Sequence, residues 1–171
     1  MYFDYVEEPE ESIDESRTFI RIGGKIAYCP QNSPIFSATI QDNICFYKPF
    51  DKEKYDRITD ICCLLPDFDI FPAGDQTEVG GRGVTLSGGQ RARISLARAL
   101  YNDADIYLLD DPLSAVDAHV GQRIWNEAIL GYLMAKGKTV LISSHQTHYF
   151  KDCDRVITME DGAIVKDKLQ S

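Results

Sequence analysis

Two stretches of this sequence combine residue types that could handle a phosphate. Leu86-Ser87-Gly88-Gly89-Gln90 stands at the mouth of an expected helix. Adjacent glycines let a backbone approach a ligand that side chains would hold off. The helix behind them offers unpaired N–H groups and the positive end of its dipole, which suits an anion, and Ser87 adds a hydroxyl. A glycine turn that only caps a helix would look the same over these five residues. The second stretch is the apolar run Ile106-Tyr107-Leu108-Leu109, which ends in Asp110-Asp111-Pro112. Ligands of α/β proteins bind at the C-terminal edge of a parallel sheet. There Asp110 could hold Mg²⁺ through water, and Asp111 could orient or deprotonate an attacking water. In isolation the pair reads equally well as a helix cap and a surface charge.

Three further groups sit where they could join these. Gln31 follows a short strand, between Pro30 and Pro34. Ser114-Ala115-Val116-Asp117 follows the carboxylates, and His145 follows a strand ending in Ser143-Ser144. Each has a plain alternative: a loop glutamine, a turn with a helix cap, an exposed histidine.

The elements that must position them can be read from pattern. Phe19 to Ile22 and Lys25 to Tyr28 are expected strands around Gly23-Gly24. Ser37 is expected to cap a short helix reaching Asn43. After Asp51, Tyr55, Ile58, Cys62 and Leu65 recur at helical spacing, with Pro66 as the stop. Asp67 to Thr85 is expected to be a glycine-rich loop. Ser87 to Tyr101 reads as a helix with Ile94, Ala97, Ala99 and Leu100 on its apolar side. Asp105 to Asp110 and Lys138 to Ser143 read as buried strands covered on both faces. Between them lies a helix capped by Asp117 and carrying Val120, Ile124, Ala128 and Ile129. Arg155 to Met159 and Ala163 to Val165 form a closing hairpin around Asp161-Gly162. The alternation of strand and helix predicts an α/β fold with a parallel sheet. The organisation expected is an acidic leader over 1–16, then one domain over 17–171, with a helical subdomain inserted over 37–100 and the rest of the core over 101–171.

Composition narrows the function. The 171 residues hold 27 acidic and 18 basic side chains, a formal charge of −9. A sequence-independent nucleic-acid binder carries a basic face instead, so no nucleic-acid partner is expected. Seven of the acidic residues lie between Met1 and Ser16, with no Lys or Arg among them, as in a solvated or disordered leader. Cys29, Cys45, Cys62, Cys63 and Cys153 form no C-x-x-C pair and no metal-ligand spacing with histidine, so reduced, packed thiols are expected. No run reaches the roughly 20 apolar residues that cross a bilayer.

Taken together, the motifs resemble the nucleotide-binding domain of ATP-binding-cassette (ABC) proteins. In family order, Gln31 matches the Q-loop, Leu86 to Gln90 the signature, and Ile106 to Asp111 the Walker B strand. Ser114 to Asp117 matches the D-loop and His145 the switch histidine. Ile26 to Gln31 with Pro34 to Ile44, and Asp110 to Val120, resemble the first cassette of the multidrug-resistance-associated proteins (subfamily C). The fold implied is a P-loop NTPase core, incomplete here, with an inserted helical subdomain. The resemblance implies ATP and Mg²⁺ as ligands, with Asp110 and Gln31 toward the metal, and Asp111, Gln31 and His145 in catalysis. It implies a head-to-tail pair of cassettes, in which Leu86 to Gln90 close over ATP held by the partner and Asp117 runs along the interface. It also implies transmembrane domains as partners of the region around Gln31 and Pro34 to Phe36, at the cytoplasmic face of a membrane, and export of organic anions or drug-like solutes.

Two departures from the family pattern matter. The sequence contains no G-x-x-x-x-G-K-[ST], the loop that cradles phosphates with backbone N–H groups and a lysine. It reads as a cassette truncated ahead of Met1, and the chain alone is expected to be inactive. Aspartate also stands at position 111, where most of the family has glutamate. The side chain is shorter by one C–C bond, about 1.5 Å, and the resemblance implies a site that hydrolyses ATP slowly. Two other readings compete. A soluble ABC ATPase of chromosome maintenance would carry a long heptad insertion between Gln31 and Leu86, and one of translation a second cassette and a basic linker; the sequence shows neither. An inert or regulatory fragment would leave apolar sheet surface exposed.

Overall fold

A three-stranded parallel sheet forms the platform for the site, in the order β1 (Ile26–Cys29), β4 (Ile106–Asp110), β5 (Thr139–Ser143). The computed structural model describes residues 22–81 and 83–169. The acidic leader over 1–16 and most of the strand expected at Phe19 to Ile22 therefore lie outside the described residues. Ile22 itself is irregular. Tyr28, Leu108 and Leu141 are in register across the sheet, as are Asp110 and Ser143, so equivalent strand ends lie side by side.

One face of the sheet is closed. Ala27, Cys29, Tyr107 and Leu109 are buried in a core shared with Ile94, Leu96, Ala97 and Leu100 of α4 (Gly88–Tyr101) and Ile124 of α5 (Ala118–Ile124). Beyond Ile124 the helix continues as a wider π-helical stretch, Trp125–Leu133, whose Trp125, Ala128, Ile129 and Leu133 join the same core. The opposite face does not match the expectation of cover on both sides. Tyr28 is 56% exposed and Leu141 64% exposed, and no helix among the described residues packs over them. Continuous apolar strands are the pattern of sheets covered twice, and the described residues supply only one layer.

The segment between β1 and β4 differs from its expectation in three places. Ala38 and Thr39 form β2, paired antiparallel with β3 (Glu78–Val79), so α1 (Ile40–Cys45) starts later than Ser37. Thr39, not Ser37, caps it by accepting a hydrogen bond from the Asp42 N–H at 3.0 Å. Next, α2 (Lys52–Ile61) is capped by Asp51 as its position suggests, but it stops at Cys62 and Cys63, the latter with φ 56°. Pro66 does not stop this helix. It sits in the first turn of α3 (Leu65–Ile70), where a missing N–H leaves no bond unmade. The expected loop from Asp67 to Thr85 thus begins inside a helix and also holds a 3₁₀ turn, Gly74–Gln76. The closing hairpin is present as β6 (Arg155–Glu160) and β7 (Ala163–Leu169). No helix of the described residues is long and apolar enough to cross a membrane.

The core has a consequence at high pH. Burial pushes the Cys62 thiol well above its ordinary value of 9.0. Burial likewise raises the Tyr107 phenol to about 12, although its hydroxyl accepts the Ala104 N–H at 3.0 Å. The folded chain then holds these protons more tightly than the unfolded chain. Their contribution is complete below the unfolded values and is lost as pH rises through the folded ones. The melting temperature is expected to fall steadily from about pH 9 to 12. A thermal series with tyrosinate absorbance as second signal checks this; a flat profile would contradict it.

Candidate functional site: a signature turn and a carboxylate edge

The signature turn is built by its own side chains. Ser87 Oγ accepts from the Gln90 N–H at 3.2 Å, and Gln90 Oε1 accepts from the Ser87 N–H at 2.9 Å, closing a capping box. Leu86 is buried, and its carbonyl accepts from Arg91 Nη1 at 2.8 Å. The first N–H groups of a helix have no partner inside it, and among the described residues none accepts from those of Gly88 and Gly89. Ser87 and Gly88 are exposed. A β-carbon on Gly89 would lie 3.0 Å from the Ala115 carbonyl oxygen, so the backbone of residues 114–117 rests directly on the signature glycine.

That second loop is equally determined. The Asp111 carbonyl accepts from Ser114 Oγ at 2.9 Å and from the Ser114 N–H at 3.2 Å. The Val116 N–H donates to Leu113 O at 3.1 Å. Asp117 caps α5 by accepting from the Val120 N–H at 3.0 Å, as its position suggested.

At the C-terminal edge of the sheet, Asp110 Oδ1 accepts from Ser143 Oγ at 2.7 Å, and the Asp111 N–H donates to Ser143 O at 3.0 Å. Asp111 has φ 45°, a left-handed conformation that Asp tolerates better than most residues. This turn swings its nearly buried side chain toward Gln31, whose Nε2 lies 3.5 Å from Asp111 Oδ2. Residues 80 apart in sequence are therefore brought together. His145 lies two residues past β5 and is exposed, with no hydrogen bond to this pair among the described residues.

No three acidic, histidine or cysteine side chains cluster as a metal cage among the described residues. Magnesium at phosphate sites needs less: one or two carboxylates, with phosphate oxygens and water completing the shell. Asp110 keeps one carboxylate oxygen clear of Ser143, and Gln31 keeps its amide oxygen clear of Asp111. This all-oxygen set fits Mg²⁺ in that thinner mode.

Sequence reasoning missed Ser143 as the residue that ties the two carboxylates to β5, although its strand-end position beside Asp110 was available. It named Phe36 but missed Phe46, Tyr47 and Arg98, which complete an aromatic groove beyond Gln31. Phe36 and Phe46 lie 5.0 Å apart, with the Arg98 guanidinium 5.1 and 5.2 Å from their rings, beside a cavity of about 580 Å³. Phe46 and Tyr47 are consecutive left-handed residues with φ 42° and 65°, and Tyr47 is 95% exposed. Holding two such residues costs about 1–2 kcal/mol each.

A parallel sheet with paired carboxylates at its C-terminal edge, a glutamine just past the neighbouring strand and 3.5 Å from one of them, and a glycine-fronted helix beside the following loop matches part of the core of a P-loop NTPase. The sequence model of the ABC transporter family matches residues 6–114. The chain is 48% identical over 145 residues to the ABC-type transporter cicA of Emericella nidulans, and 47% identical over 147 residues to the mouse ATP-binding cassette sub-family C member 2. It is 48% identical over 145 residues to multidrug resistance protein mrp-7 of Caenorhabditis elegans. These alignments cover 85 to 86% of this chain and 10% of each relative, so the chain spans about a tenth of the length of the curated relatives it matches. The chain belongs to the ABC transporter family, and its relatives are subfamily C transporters.

Proposed function

We propose that this chain supplies part of the first nucleotide-binding cassette of a subfamily C exporter and acts in a head-to-tail pair with a second cassette. The observation that carries this reading is the exposed, self-capped signature turn, whose Gly88 and Gly89 N–H groups are left for a ligand. In a head-to-tail pair, the ATP that Ser87, Gly88 and Gly89 meet is held by the second cassette. The edge formed by Gln31, Asp110 and Asp111 serves the other ATP of the pair. There Asp110 and Gln31 would hold Mg²⁺, which neutralises phosphate charge when bound. Asp111 would accept hydrogen from the attacking water, and His145 would approach the terminal phosphate once the pair closes.

The groove of Phe36, Phe46 and Tyr47, next along the chain from Gln31, supports transmembrane domains as the second partner. An apolar pocket with an exposed, strained aromatic suits an incoming helix end. Such a partner supports a position at the cytoplasmic face of a membrane, and the kinship with subfamily C supports organic anions or drug-like compounds as the exported solutes.

The test uses ATPase assays. The purified chain alone is expected to show no turnover above background. Mixed with a second cassette that carries G-x-x-x-x-G-K-[ST], it is expected to associate in an ATP-dependent manner and raise turnover. Turnover by the chain alone, abolished by Asp110→Asn, would overturn the reading, because it requires a phosphate site independent of that loop.

A further inference from the structure

A carboxylate outside the motifs grips the signature turn from a separate element. Asp67, in the first turn of α3, is 8% exposed, and both of its oxygens are taken by residues of the signature helix. Oδ1 accepts from Gln90 Nε2 at 3.0 Å, and Oδ2 accepts from Arg93 Nη2 at 2.6 Å. The other end of the Gln90 amide closes the capping box with Ser87. Nη1 of Arg93 would lie 3.4 Å from a β-carbon on Gly89. Hence a single side chain fixes Gln90, through it the Ser87 backbone, and a guanidinium under the second signature glycine.

This bond pattern changes the part played by Gln90. Its oxygen and nitrogen are both engaged within the chain, so it shapes the turn while Ser87, Gly88 and Gly89 face outward. The ion pair is almost dry, with side chains 13% and 11% exposed. Removing one partner of a pair in that environment leaves the other buried and uncompensated, which costs more than losing a surface pair. On its other side α3 is anchored by Phe68, which packs against the main core. Asp67 is therefore a fixed point and not a loose acceptor.

We propose that Asp67 is a positioning residue for the signature, setting through Gln90 and Arg93 the direction in which the Gly88 and Gly89 N–H groups face. The role rests on the proposed function for its consequence, the grip on ATP carried by a second cassette. It does not rest on that function for its structural content. No contact of Asp67 with nucleotide is involved.

Two measurements separate these levels. The first is amide hydrogen exchange across residues 86–93 of the chain alone. Asp67→Ala is expected to speed exchange at Gln90, whose N–H is capped by Ser87, by on the order of tenfold, because the turn loses its outer support. The second is release of trinitrophenyl-ATP from a second cassette bearing G-x-x-x-x-G-K-[ST], with its catalytic glutamate replaced by glutamine. The unsubstituted chain is expected to slow release, and Asp67→Ala to lose roughly tenfold of that slowing, as misplaced contact groups do. Asp67→Asn keeps the bond from Gln90 and loses the charge facing Arg93. It is expected to fall between the two and decides the matter if Asp67→Ala does not fold. Asp60→Ala removes another ion pair, with Arg123 at 2.8 Å on a half-exposed surface, and is expected to change neither readout. Unaltered exchange in both Asp67 variants, or an equal effect of Asp60→Ala, overturns the inference. Failure of the unsubstituted chain to slow release overturns the proposed function instead, and the exchange result still decides the positioning role.

Discussion

On the proposed function, Asp111→Glu is expected to raise ATP turnover at the site of Gln31, Asp110 and Asp111 by up to about 10²-fold, measured in single turnovers of a cassette pair with the opposite site blocked. The argument is one of reach. Gln31 Nε2 and Asp111 Oδ2 stand 3.5 Å apart, beyond the 2.7–3.2 Å of a firm N–H···O bond. The carboxylate thus stops short of the group it faces. One more methylene adds up to about 1.5 Å, enough to bring the carboxylate within bonding range of Gln31. The backbone opposes the change, since position 111 has φ 45°, where Asp is better tolerated than Glu. A loss of about 1 kcal/mol in folding stability is expected alongside the gain in rate. Unchanged turnover in a folded Asp111→Glu protein would show that reach is not what limits this site.

The second large effect is on stability. Trp125→Ala is expected to remove about 4 kcal/mol, a fall in melting temperature of roughly 10 °C for a chain of this size. Trp125 is 2% exposed, stacks on Tyr149 at 4.4 Å between ring centroids, and donates its indole N–H to Asp152 at 3.0 Å. Its removal leaves a large cavity and strands a carboxylate. It also frees the turn that follows His145 from the helix that follows Asp117. Urea unfolding of both proteins measures the difference, and a loss under 1 kcal/mol would mean that the site collapses without penalty.

How much of this was legible beforehand depends on whether local chemistry or distant packing decided it. Ser87 with Gln90, and Asp117 with Val120, are capping patterns complete within four residues, so the starts of α4 and α5 could be placed from sequence alone. Ser37 failed as a cap because Ala38 and Thr39 are claimed by strand pairing with Glu78 and Val79, forty residues away. Pro66 failed as a stop because a proline at the start of one helix and just past the end of another look alike in sequence. Cys63, which turns the chain between them with φ 56°, carries no glycine to announce itself. The meeting of Gln31 with Asp111 followed from family order and not from any spacing. Asp67 was hidden for a related reason: a lone aspartate in a glycine-rich stretch gives no sign that a glutamine and an arginine 23 and 26 residues later will fill both its oxygens.

The helix α4 has 14 residues and hence a length of about 21 Å. Near its far end, Arg98 is held by the Asn43 carbonyl at 2.6 Å and the Pro34 carbonyl at 2.9 Å, with its guanidinium against Phe36 and Phe46. Gly88 and the aromatic groove are therefore opposite ends of one connecting rod, pinned at both bearings. Its flank of Ile94, Leu96, Ala97 and Leu100 is packed in the core. If α4 shifts as a rigid body, the signature glycines and the residues gathered around Phe36 and Phe46 shift together.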